Sequence, residues 1–119
     1  MAEITPEFEL IDAVEHQKAN PRTFELPDEW NRKRVRIGEW AKLMFRFPVN
    51  RDPQVERMWV RVTAATDSQY VGVLDNTPDN VEFVGYGQTI TFEPRHVISI
   101  WPARMYFEPL TLESNDSDA

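Results

Sequence analysis

Apolar residues recur at two different spacings along this chain, and the change of spacing divides it into two parts. Near the N-terminus they recur every three residues, which indicates one apolar stripe of a helix, at Phe8, Ile11 and Val14. Pro6 suits the first turn of a helix, and Asn20 ends it because the residue before a proline resists αR geometry. We therefore predict an amphipathic helix over residues 6–19 and a loop over residues 20–34.

From residue 35 onward the apolar period changes to two, which is typical of strands with one buried face. In Trp40–Phe47 the odd positions are apolar, and in Arg57–Ala64 the even positions are, so these segments predict a hairpin. Three further short strands follow: Gln69–Leu74, Gln88–Glu93 and His96–Trp101. The pattern predicts a mainly β (α+β) fold with its β core at residues 35–101, as a small five-stranded antiparallel barrel or a strongly curved sheet.

Length and composition fit one domain. A chain of 119 residues with 41% hydrophobic and 28% charged side chains can bury one core and is too short for two. We assign residues 1–112 to the domain and expect the polar, acidic residues 113–119 to form a disordered tail.

The available side chains exclude several kinds of chemistry. Cysteine is absent, which removes disulfides, thiolate metal sites and cysteine nucleophiles. The two histidines, His16 and His96, belong to different predicted elements, and no acidic cluster has metal-ligand spacing. We therefore expect no enzyme activity, no metal and no cofactor. Because the N-terminus lacks a signal-peptide pattern and no apolar run is long enough to span a bilayer, we expect a cytoplasmic protein without membrane contact.

Charge is unevenly distributed along the chain. The net charge is −7, but residues 22–61 carry ten bases against six acids and lie between two acidic segments. The overall charge opposes non-specific binding to nucleic acid, whereas the basic segment favours it locally.

The outward face of the predicted hairpin is the strongest candidate for a binding surface. Antiparallel pairing would place cationic and aromatic side chains together on it: Trp40, Lys42, Arg46, Arg57, Trp59 and Arg61. The loop that begins at Asp75 and Asn76 could contribute a carboxylate and an amide, although turns need these residue types in any case. The alternative is structural: the N-terminal helix covers this face, with Phe8 and Ile11 on the two tryptophans.

Three segments resemble a widespread bacterial family of small proteins that share a domain of unknown function. They are residues 56–62, 70–78 and 87–98, with the pattern Trp-Val, Gly-x-Leu-x-Asn-x-Pro and Gly-x-x-Ile-x-Phe, preceded by Phe45. The resemblance covers roughly residues 20–101. It implies a bacterial cytoplasmic protein with a regulatory or interaction role, and it provides no catalytic residues.

These observations leave three functions open. The first is a non-catalytic protein-interaction module, such as an immunity-type protein or a regulatory binder, which uses the hairpin face and the loop at Asp75. The second is a small nucleic-acid-binding barrel that uses the basic residues 22–61. The third, an enzyme, would need convergent titratable groups that the sequence does not reveal. Free strand edges would also permit a homodimer.

Overall fold

The computed structural model describes residues 8–48 and 54–102. The predicted tail at 113–119 and the start of the predicted N-terminal helix lie outside these ranges. The described elements are β1 (Glu9–Leu10), α1 (Ala13–Ala19), α2 (Glu29–Arg32), β2 (Trp40–Phe47), β3 (Gln54–Ala65), β4 (Tyr70–Leu74), β5 (Thr89–Phe92), a 3₁₀ turn (Pro94–His96) and β6 (Val97–Trp101).

The strands form one antiparallel sheet that curls into a half-barrel. Strands β2, β3, β4 and β5 are neighbours in chain order. The other edge of β2 is shared: β6 pairs with its first half and β1 with its second half. The mainly β prediction is confirmed, with the short β1 added to the five strands that the pattern predicts.

The inner face of the curled sheet holds the main core. The predicted alternation of β2 is confirmed, because its odd positions Ala41, Leu43, Phe45 and Phe47 are fully buried. The even positions Met58, Val60 and Val62 of β3 meet them from the neighbouring strand. Burial of these side chains removes a continuous apolar surface from water, which is the main force that holds the sheet curled.

The pairing of β3 with β4 departs from simple alternation near the end of β3. The register shifts between Val62 and Ala64, so Ala64 is exposed and the prediction that it faces the core is wrong. Opposite the shift, Gly72 lies so close to β3 that an added Cβ would overlap the Arg61 backbone and stand 2.6 Å from Val60 Cγ1. A glycine at position 72 therefore permits the close approach of β4 to β3 beside this bulge.

The N-terminal prediction needs correction. Glu9–Leu10 forms a strand against β2, and the Ile11 amide donates to the Met44 carbonyl, so the helix begins only at Ala13. Asp12 caps this helix by accepting a hydrogen bond from the Glu15 amide at 3.0 Å. The three-residue apolar spacing is misleading here because the open edge of β2 offers backbone partners that a helix over residues 8–11 would forgo.

The predicted loop at residues 20–34 contains a further short helix, α2, which is capped by Asp28. This segment is tied to the sheet by Tyr70, whose buried hydroxyl donates to the Arg32 carbonyl at 2.6 Å and accepts from the Val35 amide at 3.2 Å. Tyr70 thus helps to hold the chain before β2 against the half-barrel, together with the bond from the Gly38 amide to the Val62 carbonyl.

Candidate binding site

Register across β6, β2 and β3 brings three tryptophans together on the outer face of the sheet. Trp40 on β2 lies opposite Trp101 on β6 and opposite Arg61 on β3. Trp59 is two residues from Arg61 on the same strand, so its side chain points to the same face and is the diagonal neighbour of Trp40. The three indoles therefore come from three different strands.

These indoles and one carboxylate line an open pocket of about 350 Å³, which we call the tryptophan pocket: Trp40, Trp59, Trp101 and Asp75. Its size is at the lower end of the range of about 300–1,000 Å³ typical of small-molecule sites. Trp101 is 54% exposed, whereas Trp40 and Trp59 are half-buried. The pocket thus has two walls that packing holds in place and one exposed wall.

Asp75 is held by hydrogen bonds to two strands, through its carboxylate to β2 and through its backbone amide to β3. Trp40 Nε1 donates to Asp75 Oδ2 at 2.7 Å. The Asp75 amide donates to the Trp59 carbonyl at 2.9 Å, and Asn76 Oδ1 accepts from the Trp59 amide at 2.6 Å. Beyond the end of β4, the Asn76 side chain therefore replaces the backbone acceptor that a continuing strand would supply to β3.

The rest of this loop is held by a second side chain from β3. Glu56 accepts hydrogen bonds from the Asp79 amide at 3.0 Å and from the Asn80 amide at 2.9 Å, and also from Asn80 Nδ2. Because both ends of residues 75–80 are bonded to β3, the loop presents Asp75 from a fixed position.

Positive charge lies next to the pocket. Lys42 is paired with Trp59 across the hairpin, and its Nζ atom is 5.0 Å from the centroid of the Trp59 ring. A cation at this distance over an indole is attracted by the negative face of the ring. Arg61, opposite Trp40, is exposed.

The other two basic residues that were predicted for the binding surface lie away from the tryptophan pocket. Arg46, at the far end of β2, forms an ion pair with Glu9 at 2.9 Å. The Arg57 guanidinium carbon is 5.7 Å from the centroid of the Phe24 ring. The structure therefore groups Trp40, Lys42, Trp59, Arg61, Asp75 and Asn76, and separates Arg46 and Arg57 from them.

A second hydrophobic cluster on the outer face explains the separation. Met44 lies on this face, yet it is only 2% exposed because the N-terminal segment covers it. The residues around it come from α1, the chain that follows α1, and β6: Ala13, Phe24 and Ile98, with Ile11 and Leu26 at the margin. This cover occupies the middle of the predicted cationic surface.

The prediction that Phe8 and Ile11 cover the two tryptophans is wrong. Phe8 packs on the inner face, with its ring centroid 5.1 Å from that of Phe45. Ile11 joins the cluster around Met44. Because β1 pairs along the edge of β2, the chain crosses from the inner to the outer face at the second half of β2, and the tryptophans at its first half stay uncovered.

Sequence reasoning missed Trp101. Ile100 lies in the inner core, so its neighbour Trp101 on β6 points to the outer face. Its position beside Trp40, however, requires the pairing of β6 with β2, which joins strands about sixty residues apart along the chain. Alternation with period two shows which side of the sheet a residue faces, but not which strand lies next to it.

His96 is buried, but its contacts are structural. Its Nδ1 atom accepts a hydrogen bond from the Glu93 amide at 3.0 Å, which closes the 3₁₀ turn before β6. Burial lowers the pKa of His96, and the nearby Arg95 guanidinium lowers it further. Within residues 8–48 and 54–102, no three His, Asp or Glu side chains converge as metal ligands.

None of the described helices is long and apolar enough to cross a bilayer. No curated protein and no solved structure matches the chain. A family model described as an uncharacterized protein conserved in bacteria (DUF2314) matches residues 7–108. The match includes the half-barrel, the loop at Asp75 and all three tryptophans of the pocket, and it extends beyond residues 20–101 in both directions. The chain therefore belongs to this family of proteins conserved in bacteria.

Proposed function

We propose that this protein is a non-catalytic protein-interaction module that holds its partner at the tryptophan pocket. The observation that carries the proposal is the pocket itself: three indoles and a fixed carboxylate stand open on the outer face of the sheet. Tryptophan is among the residues most enriched where alanine substitution weakens a protein interface most. Exposure of a large indole such as Trp101 has no benefit for folding, whereas burial against a partner would stabilise a complex.

The rigid frame supports the same function. Hydrogen bonds to Trp40, Trp59 and Glu56 hold the loop at Asp75 before any partner arrives. A site that is ordered in advance loses less conformational entropy on association, so more of the contact energy contributes to affinity. We place the protein in the cytoplasm, as an immunity-type protein or a regulatory binder, and cell fractionation tests the location.

The test compares two bait variants in lysate of the source bacterium. Trp101→Ala removes the most exposed indole of the pocket, and Tyr86→Ala removes an aromatic side chain that is 70% exposed outside it. We expect quantitative mass spectrometry to find a stoichiometric protein that wild type and Tyr86→Ala retain and Trp101→Ala loses. Equal recovery by all three baits would refute the assignment of the interface to this pocket.

The alternative function is binding of single-stranded nucleic acid, and Lys42 and Arg61 beside the indoles favour it. Proteins that bind single strands usually stack the bases on aromatic rings and neutralise the phosphates with basic side chains. Part of the basic segment is already neutralised, since Arg46 pairs with Glu9 and Lys33 with Glu29. A fluorescence-anisotropy titration with a labelled single strand tests this function, which predicts an affinity that falls steeply with salt.

A further inference from the structure

We propose that the tryptophan pocket binds the guanidinium group of an arginine side chain presented by the partner protein. The inference rests on the proposed function and specifies the chemistry of its site. The aromatic walls favour a cation as the ligand, because the faces of indole rings carry a negative potential and attract cations more strongly than those of Phe or Tyr. Within this protein, Lys42 already occupies such a position, 5.0 Å from the centroid of Trp59.

The carboxylate determines which kind of cation fits. Asp75 Oδ2 accepts from Trp40 Nε1, while its Oδ1 atom accepts no hydrogen bond from the described residues. A quaternary ammonium group has no N–H to offer this oxygen. A guanidinium has five N–H donors in a plane, so it can donate to Asp75 while it stacks on an indole. It is also more weakly hydrated than a lysine ammonium, which lowers the cost of its transfer into the pocket.

The charge of the protein favours the approach of such a partner. The chain carries a net charge of −7, and residues 62–119, which supply Asp75 and Trp101, contain nine acids against two bases. A field of this sign steers cationic partners toward the surface. Two cations of the protein oppose this approach locally. Lys42 competes with an incoming guanidinium for the Trp59 face and repels it, and the exposed Arg61 opposite Trp40 repels it as well. The proposal therefore predicts that loss of the Lys42 charge strengthens binding, while loss of the Asp75 charge weakens it.

The first experiment measures binding of small probes to the full chain. N-acetyl-arginine amide is titrated while tryptophan fluorescence and the NMR signal of the Trp40 Nε1–H group are followed. N-acetyl-citrulline amide has a side chain of the same shape without the positive charge. N-acetyl-trimethyllysine amide has the positive charge but no N–H donor in its side chain. We expect saturable binding of the arginine probe and affinities about tenfold lower for both others. Citrulline can donate only neutral hydrogen bonds to Asp75, and the trimethylammonium group can donate none. Equal affinities for arginine and citrulline, or tighter binding of trimethyllysine, would overturn the proposal.

The second experiment uses matched variants. Asp75→Asn keeps an oxygen for Trp40 Nε1 but removes the charge, and we expect about tenfold weaker binding of the arginine probe. Asp79→Asn removes the same charge from an exposed position in the same loop, and it should leave the affinity unchanged. Lys42→Met, which keeps an unbranched apolar stem over Trp59, should tighten binding by about threefold, the size of one exposed cation–π contact. Unchanged affinity in Asp75→Asn would refute the role of the carboxylate.

The two proposals fail in different ways. If the bait experiment finds a partner that depends on Trp101 but is retained by Asp75→Asn, and the arginine probe does not bind, the interaction surface stands and the guanidinium proposal falls. If the arginine probe binds with the expected variant pattern but no Trp101-dependent protein is recovered, the pocket chemistry stands and the proposed protein-interaction function falls. Thermal denaturation of each variant by circular dichroism verifies that the fold is retained.

Discussion

The Asn76 side chain provides a direct test of how the loop after β4 is built. Its Oδ1 atom is the acceptor for the Trp59 amide at 2.6 Å, at a place where β4 no longer supplies a backbone carbonyl. Asn76→Ala removes the acceptor and leaves that amide without its partner in a half-buried position. The expected cost is about 1–2 kcal/mol, the usual penalty of an amide that loses its partner and is partly reached by water.

The measurement is thermal denaturation followed by circular dichroism. For a domain of this length, the expected loss of stability corresponds to a decrease in Tm of about 4–8 °C. Asn76→Asp keeps a side-chain oxygen at the same place and should remain close to wild type. Thr77→Ala is the control, because Thr77 is the exposed neighbour. If Asn76→Ala melts at the same temperature as Thr77→Ala, the side chain does not extend the β3–β4 pairing as argued.

The same variant also affects the pocket. The two bonds between residues 75–76 and the Trp59 backbone determine where the Asp75 carboxylate lies relative to Trp40 Nε1. We therefore expect the NMR signal of that indole N–H to shift and broaden in Asn76→Ala, while it stays unchanged in Thr77→Ala. An unchanged indole signal together with a lower Tm would mean that Asn76 stabilises the strand end without positioning Asp75.

Three further predictions concern the half-barrel. Tyr70→Phe removes the hydroxyl that bridges the Arg32 carbonyl and the Val35 amide, so urea denaturation should show a loss of about 1–3 kcal/mol, whereas Tyr86→Phe at an exposed position should cost nothing measurable. Gly72→Ala should destabilise by about 1–3 kcal/mol because its Cβ would overlap the Arg61 backbone, and a Tm within 1–2 °C of wild type, about the error of the method, would contradict that close approach. Because burial lowers the pKa of His96, the unfolded chain takes up its proton first; stability is therefore complete above a pH of about 6.5, falls as the pH drops toward the folded-state pKa, and levels off below it. His96→Asn should lack this part of the pH dependence, and identical pH profiles for the two proteins would refute the argument.

The outer face of the sheet divides into a structural half and an open half. Over the second half of β2, the N-terminal segment buries Met44 and packs Phe24 under Arg57. Over the first half, the indoles of the tryptophan pocket stay accessible. The same face therefore carries both a contact that holds the fold and the proposed contact with a partner, so variants in the two halves should separate stability from binding.

The sequence by itself determined strands β2 to β6 and the side that hairpin residues 40–47 and 57–62 face. Alternation with period two predicts β2 with its observed bounds, and it correctly places Leu43, Phe45 and Val60 in the core. It also places Trp40 and Trp59 on the outer face. These features are local, because adjacent residues of a strand point to opposite sides whatever the strand pairs with.

Only the tertiary structure decided which elements meet. The open edge of β2 recruits Glu9–Leu10 as a strand, which places Phe8 inside the half-barrel and leads the following chain over Met44. The pairing of β6 with β2 brings Trp101 to Trp40, and the loop after β4 returns Asp75 to the same point. Such contacts depend on the pairing and curvature of distant strands, for which a single sequence carries no local pattern.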